Sequence, residues 1–320
     1  MRNVGRTDLP PEQQKALQKA VFWEWVTIAY TGLTIALVAL VVGNSQAMKT
    51  AWIEDMLSLI PQVSFLIALR FVRRRPTRSF PFGFHRSMGI GHLVAGVALL
   101  AVGGNLAVES VIGLISGDRP TIGTVVIFGA TVWLGWLMIG VMAIVVIGPL
   151  IYGPAKLRIA PKLHNKVLFA DADMAKADWH TNAASIVGVI GVGIGLWWLD
   201  AVAALFISIG IVFDGVKNTR FAVRDLIDER ARTYDDRSTD PLIEQILIEM
   251  RRQPWVREAG VRMRDQGQVF HTEVFFVPRR RRPPPTRMLR EMAQRLADLD
   301  WKVQDIVLIP VPELPDEATV

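Results

Sequence analysis

Asp171 to Ser185 reads Asp-Ala-Asp-Met-Ala-Lys-Ala-Asp-Trp-His-Thr-Asn-Ala-Ala-Ser and runs into the almost wholly apolar stretch 186–199. Ionisable side chains at the mouth of a membrane helix are costly, so they face a cavity or one another. Positions three, four and seven apart share a helix face. Asp171, Met174, Asp178, Asn182 and Ser185 fit one such face, and three or four of these side chains suffice to bind a cation. Glu54, Ser58 and Gln62 recur every four residues in another apolar segment, with Asp55 one step round from them. Two adjacent acids inside a membrane helix point to a cation or a proton. Carboxylate oxygens suit Mg²⁺ and Mn²⁺, whereas a thioether such as Met174 favours softer transition metals. Carboxylates packed in low dielectric hold protons more tightly, so a metal must displace protons to bind. That competition is the physical basis of an antiporter.

Other polar groups carry less. Asp173, Lys176 and His180 lie on nearly the opposite face of the same helix, with Asp173 and Lys176 spaced to pair. His92 reads as a satisfied core histidine, Asn105 and Glu109 as a pair one turn apart, and His271 as a strand residue.

The elements that must position these residues are membrane spans. Of 320 residues 51% are hydrophobic, too apolar for an ordinary soluble protein of this size. The net charge of +6 is concentrated in loops beside apolar segments, the bias of membrane proteins and not of nucleic-acid binders. With no cysteine there is no disulfide, thiolate site or thiol nucleophile. Residues 1–20 read as a polar cytosolic lead without a signal-peptide layout. Six spans follow, at about 21–43, 51–71, 87–115, 122–152, 167–198 and 200–223. Each exceeds the roughly 20 residues needed to cross a bilayer. Lys and Arg cluster at the N-terminus, after spans two and four and in the C-terminal portion, which places both termini in the cytosol.

Residues 229–320 read as a small cytosolic α+β domain in the order α-β-β-α-β, after a six-helix membrane domain at 21–228. Asp240-Pro241 reads as a cap and first-turn proline. Leu242, Ile243, Ile246, Leu247 and Met250 form one apolar stripe, and Met288, Leu289, Met292 and Leu296 another. Strands are predicted at 256–264, 269–277 and 303–311, with 279–285 as the turn before the second helix.

This pattern resembles the cation diffusion facilitator family of divalent-metal/proton antiporters, as a divergent member. Arg78-Ser-Phe-Pro-Phe-Gly-Phe-His-Arg86 is similar to the family's loop between helices two and three. The stretch 172–182 resembles its helix-five metal motif. The stretches 200–208 and 223–228 resemble the start and exit of its sixth helix, and the α-β-β-α-β tail its ferredoxin-like, metallochaperone-like cytosolic domain. The resemblance implies a homodimer, alternating access and metal efflux. It implies ligands at Glu54 and Ser58 on helix two and at Met174 and Asp178 on helix five, and a salt bridge between Arg86 and Asp228. The chain departs from the pattern twice: Ser58 stands where Asp is usual, and Met174 where His or Asp is usual. Asp55 is the candidate to replace Ser58, and Asp171 or Asp173 to supplement Met174. An oxygen-rich site with one thioether favours Mn²⁺ or Fe²⁺ over Zn²⁺, which usually takes His, Cys or carboxylate.

The resulting expectation is a multi-pass transporter of the inner or plasma membrane, not an enzyme. It exchanges a divalent metal (Mn, Fe or Zn) for protons, and needs no cofactor and no nucleic acid. A transport-inactive metal-sensing or scaffold relative is the first alternative. A membrane-embedded metal hydrolase is the second, with acids and His180 activating a metal-bound water. No HExxH, Ser/Lys pair or Gly-rich phosphate loop supports the hydrolase.

Overall fold

The computed structural model describes residues 9–280 and 284–318. Its long helices are α1 (Pro11–Val41), α2 (Gln46–Val72), α3 (Ser87–Ser116), α4 (Leu134–Val145), α5 (Ile147–Leu163), α6 (Lys166–Gly193) and α7 (Trp198–Leu226). Among the described residues, α1, α2, α3, the α4–α5 pair and α7 are long and apolar enough to cross a membrane. α6 packs against α2, α5 and α7. It falls outside that group because its N-terminal half carries Asp171, Asp173, Lys176, Asp178, His180 and Asn182. The chain is therefore a multi-pass membrane protein.

Several boundaries differ from the sequence expectation, each for a local reason. α1 begins at Pro11, inside the stretch expected as a polar cytosolic lead, because proline fits the first helical turn. α2 begins at Gln46, where Ser45 accepts a hydrogen bond from the Met48 amide and caps the helix. The expected fourth span does not start at 122. Residues Thr124–Ile127 (β1) and Ala130–Trp133 (β2) form a hairpin instead. The β-branched run favours strand, and Phe128 and Gly129 both take positive φ, as a two-residue hairpin turn demands.

The expected basic loop 153–166 is mostly helix. α5 continues to Leu163 and is closed by His164 in the left-handed conformation. Between α4 and α5 the helix breaks at Val146, three residues before Pro149. Tyr30 on α1 covers the break: its hydroxyl donates to the Ile144 carbonyl (2.7 Å) and accepts from the Gly148 amide (3.1 Å).

The C-terminal part has the order α8 (Leu242–Arg251), β3 (Val256–Asp265), β4 (Phe270–Pro278), α9 (Thr286–Ala297), β5 (Val303–Pro310). β4 is central, antiparallel to β3 and parallel to β5. Asp240 caps α8 by accepting from the Leu242 amide (3.0 Å). The whole stripe from Leu242 to Met250 is buried against the sheet. On α9, Met292 and Leu296 are buried and Leu289 packs against them, but Met288 faces outward. Of the expected 279–285 turn, 281–283 lie outside the described residues.

Polar contacts join this unit to the membrane helices. Asp228, just past α7, pairs with Arg86 at the start of α3 and with Arg264 on β3 (2.7 Å). Lys166 at the start of α6 reaches Asp225 (2.6 Å) and Asp265 (3.3 Å), and His164 also meets Asp265 (3.2 Å).

Candidate cation site between α2, α6 and α7

Asp200 sets the position of α2. It is buried in the first turn of α7 and accepts from the Ser45 hydroxyl (2.5 Å) and the amides of Gln46 (2.6 Å) and Ala47 (3.3 Å). A carboxylate against the free amides of a helix N-terminus satisfies donors that have no partner in the helix. α2 is thereby tied to α7 at one end, and its polar face is laid along α6.

Glu54 lies about two turns into α2 and is half-buried. Its Oε1 accepts from the Thr181 hydroxyl on α6 (3.3 Å). Its Oε2 is buried without a hydrogen-bond partner among the described residues. Asp178 lies one turn before Thr181 and is half-buried on the same side of α6. The two carboxylates are within electrostatic reach of each other and of Asp55 and Asp214. Four acids from α2, α6 and α7 thus share one region of the membrane bundle. Asn182, one turn further along α6, donates its side-chain amide to the Asp178 carbonyl (2.7 Å) and leaves its own Oδ1 without a partner among the described residues.

The other expected residues are placed as follows. Ser58 is half-buried, with its hydroxyl donated to the Asp55 carbonyl on its own helix (2.7 Å). Met174 is half-buried against the apolar core of the bundle. Asp171 is buried, and Lys156 of α5 holds its carboxylate (2.5 Å). Asp173 pairs with Lys217 of α7 (2.7 Å) and not with Lys176 on its own helix, which is exposed. His180 is exposed and stacks on Trp179 (3.7 Å between centroids). His92 bonds Asn218 of α7 (3.1 Å) in the core. His271 bonds Asp305 (2.5 Å) and Glu273 (3.4 Å) in the sheet, far along the chain from these acids. Among the described residues, no three His, Asp or Glu side chains converge tightly enough to hold a metal ion. The acids of α2, α6 and α7 are gathered but not closed around one point.

Sequence reasoning passed over Asp214, Glu24 and Lys156. Asp214 is a lone acid in an apolar span, and the rule that picked out Glu54 and Asp55 applies to it equally. Glu24 heads a buried stripe on α1 with Thr27, Thr31 and Thr34, at helical spacing and legible in advance. Lys156 was hidden by the expected loop.

Residues 25–227 match the model of the cation efflux transmembrane domain. The uncharacterized transporter YdbO of Bacillus subtilis is 26% identical over 178 residues, covering 55% of this chain and 57% of that protein. The manganese efflux system protein MneS of Bacillus subtilis is 24% identical over 223 residues, covering 68% and 72%. The uncharacterized transporter MJ0449 of Methanocaldococcus jannaschii is 21% identical over 185 residues, covering 56% and 60%. The matched parts of YdbO and MJ0449 are therefore less than two thirds of their length. With more than half of its residues matched by the family model, the chain belongs to the cation efflux family as a divergent cation diffusion facilitator.

Proposed function

We propose that this protein is a secondary transporter that exports a divalent transition metal cation from the cytosol in exchange for protons. α6 is its remaining membrane span, and both termini lie in the cytosol of a homodimer in the inner or plasma membrane. The observation that carries the reading is the gathering of Glu54, Asp55, Asp178 and Asp214 from three helices inside the apolar bundle. Carboxylates so placed need positive charge beside them. A divalent cation and protons compete for the same oxygens, so loading one releases the other. Alternating access then requires α2 and α6 to close on the cation and open to the other side.

Glu54 and Asp178 supply the oxygens, with Asp55 and Met174 completing the set. Oxygen ligands with one thioether favour Mn²⁺ or Fe²⁺ before Zn²⁺. That MneS is a manganese efflux protein supports the same ranking.

The test is proton movement in proteoliposomes holding a pH dye, with Mn²⁺, Fe²⁺, Zn²⁺, Co²⁺, Ni²⁺, Cd²⁺ and Mg²⁺ added one at a time. The expected result is a response to some ions only, lost in Glu54→Ala and Asp178→Ala while the protein stays folded. Retained flux in Asp178→Ala would remove that residue from the site. A second reading, a transport-inactive relative, is favoured by the absence of a closed three-ligand cluster among the described residues. Silence towards every ion from folded protein would select it.

A further inference from the structure

Lys156 is fully buried on α5, at 0% exposure, between two carboxylates from other helices. Its ammonium lies 3.1 Å from Glu24 Oε2 on α1 and 2.5 Å from Asp171 Oδ2 on α6. Glu24 is itself at 0% exposure. Gln62 of α2 donates to the other Asp171 oxygen (3.4 Å). One ammonium and two carboxylates inside a membrane bundle are expensive to maintain, and well-packed apolar side chains would often serve stability as well. The position of the trio suggests what it does. Asp171, Met174 and Asp178 follow one another at three and four residues, so they share one face of α6. Asp171 and Lys156 are both within electrostatic reach of Asp178.

We propose that Lys156 is a specificity-determining positioning residue, a tethered cation that withholds Asp171 from the metal site. Held by Lys156, Asp171 contributes no oxygen to the transported ion, and the site keeps the softer donor set of two carboxylates and a thioether. Released, Asp171 is the next carboxylate along the same face, one turn from Met174. A further carboxylate oxygen favours hard ions such as Mg²⁺ and Mn²⁺ over Zn²⁺ and Cd²⁺. Glu24 is the second anchor that keeps the ammonium in place. The inference rests on the reading of the Glu54 and Asp178 region as the cation site, and its test is made independent of transport.

The experiment is equilibrium binding of Mg²⁺, Mn²⁺, Zn²⁺ and Cd²⁺ to the full chain in lipid nanodiscs, by calorimetry. The variant is Glu24→Gln with Lys156→Gln, which leaves the trio at the same formal charge of −1 while freeing Asp171. The expected result is that Mg²⁺ and Mn²⁺ bind about tenfold tighter relative to Cd²⁺, the size of effect that outer-shell groups exert on metal sites. Adding Asp171→Asn should remove the gain. A folded variant with the wild-type ranking of ions would overturn the proposal, as would a gain that survives Asp171→Asn. Should the glutamine pair not fold, Glu24→Gln with Lys156→Met keeps the buried volume and carries the same expectation. Lys156→Arg, which preserves the charge contact, should keep the wild-type ranking. Wild-type protein that binds ions without moving them would defeat the transport reading and leave this one standing.

Discussion

At the residue scale, the chemistry is decided by which carboxylates are already neutralised. Asp171 and Asp178 look equivalent on a helical wheel, yet Asp171 has an ammonium at 2.5 Å and Asp178 has none among the described residues. Asp173 is likewise taken by Lys217. Met174 lies between Asp171 and Asp178 on the same face of α6. Met174→His should move the preference towards Zn²⁺ by about tenfold, since imidazole is an ordinary zinc ligand and the thioether is not. Competition of Zn²⁺ against Mn²⁺ in the flux assay reads this, and an unchanged ratio would remove Met174 from the ligand set.

Asp200 makes a different kind of contribution. It accepts three hydrogen bonds at the start of α2. Asp200→Ala leaves those buried donors unpaired, at about 1–3 kcal/mol for each unsatisfied group. Thermal unfolding in detergent should show a clearly lowered midpoint, whereas an unchanged midpoint would mean that water replaces the carboxylate.

At the element scale, the long contact between α3 and α7 depends on glycine. A Cβ built on Gly215 would lie 2.5 Å from the Leu100 amide nitrogen, and one on Gly96 would lie 2.6 Å from that of Thr219. Backbone cannot yield as a side-chain tip can, so the helices must separate to admit a larger residue. Gly215→Val should destabilise the bundle by about 1–3 kcal/mol, the usual cost of overpacking. At Gly104, where an added Cβ meets nothing within 4 Å, alanine should be tolerated. Both substitutions raise helix propensity, so equal melting losses at the two positions would show that the close approach at Gly215 is not responsible.

The hairpin and the α4–α5 break belong to this scale too. Both were missed because a run of apolar residues looks the same as one long span whether it is a hairpin, a broken helix or a straight one. Phe128-Gly129 and Pro149 were the available clues.

At the scale of the whole molecule, the C-terminal unit is held to the membrane helices through Asp228, Asp265 and Lys166. Within that unit the His271 ring is sandwiched between Asp305 and Glu273. Its hydrogen bond to Asp305 raises its pKa above the usual histidine value, against the opposing effect of burial and of Arg264. A group whose folded pKa is raised stabilises the fold while it is protonated. That stability is fully present below the unfolded histidine value, about 6.5, and is lost as pH rises through the folded value. The melting midpoint of wild type relative to His271→Asn should therefore fall from pH 6 to pH 8.5. A difference independent of pH would show that the ring acts only by packing.

The amino-acid sequence by itself determined the class of molecule. Apolar segments of membrane length have one stable environment, and their polar loops and acidic insertions are local signals that need no partner to be read. The stripe on α8, the Asp240 cap and the strand order were legible for the same reason: amphipathic period and capping are properties of a few neighbouring residues. Glu54, Asp55 and Asp178 were legible as acids in apolar surroundings. What only the tertiary structure decided is which of the charged groups meet. Lys156 and Asp171 are brought together by the packing of α5 on α6, and Glu24 by that of α1 on α5. Asp173 finds Lys217 across a helix interface and not its neighbour on the same helix. Pairing between helices depends on their rotation and depth, which are fixed by small residues and buried caps distributed along the chain. A single stretch of sequence carries no record of that sum.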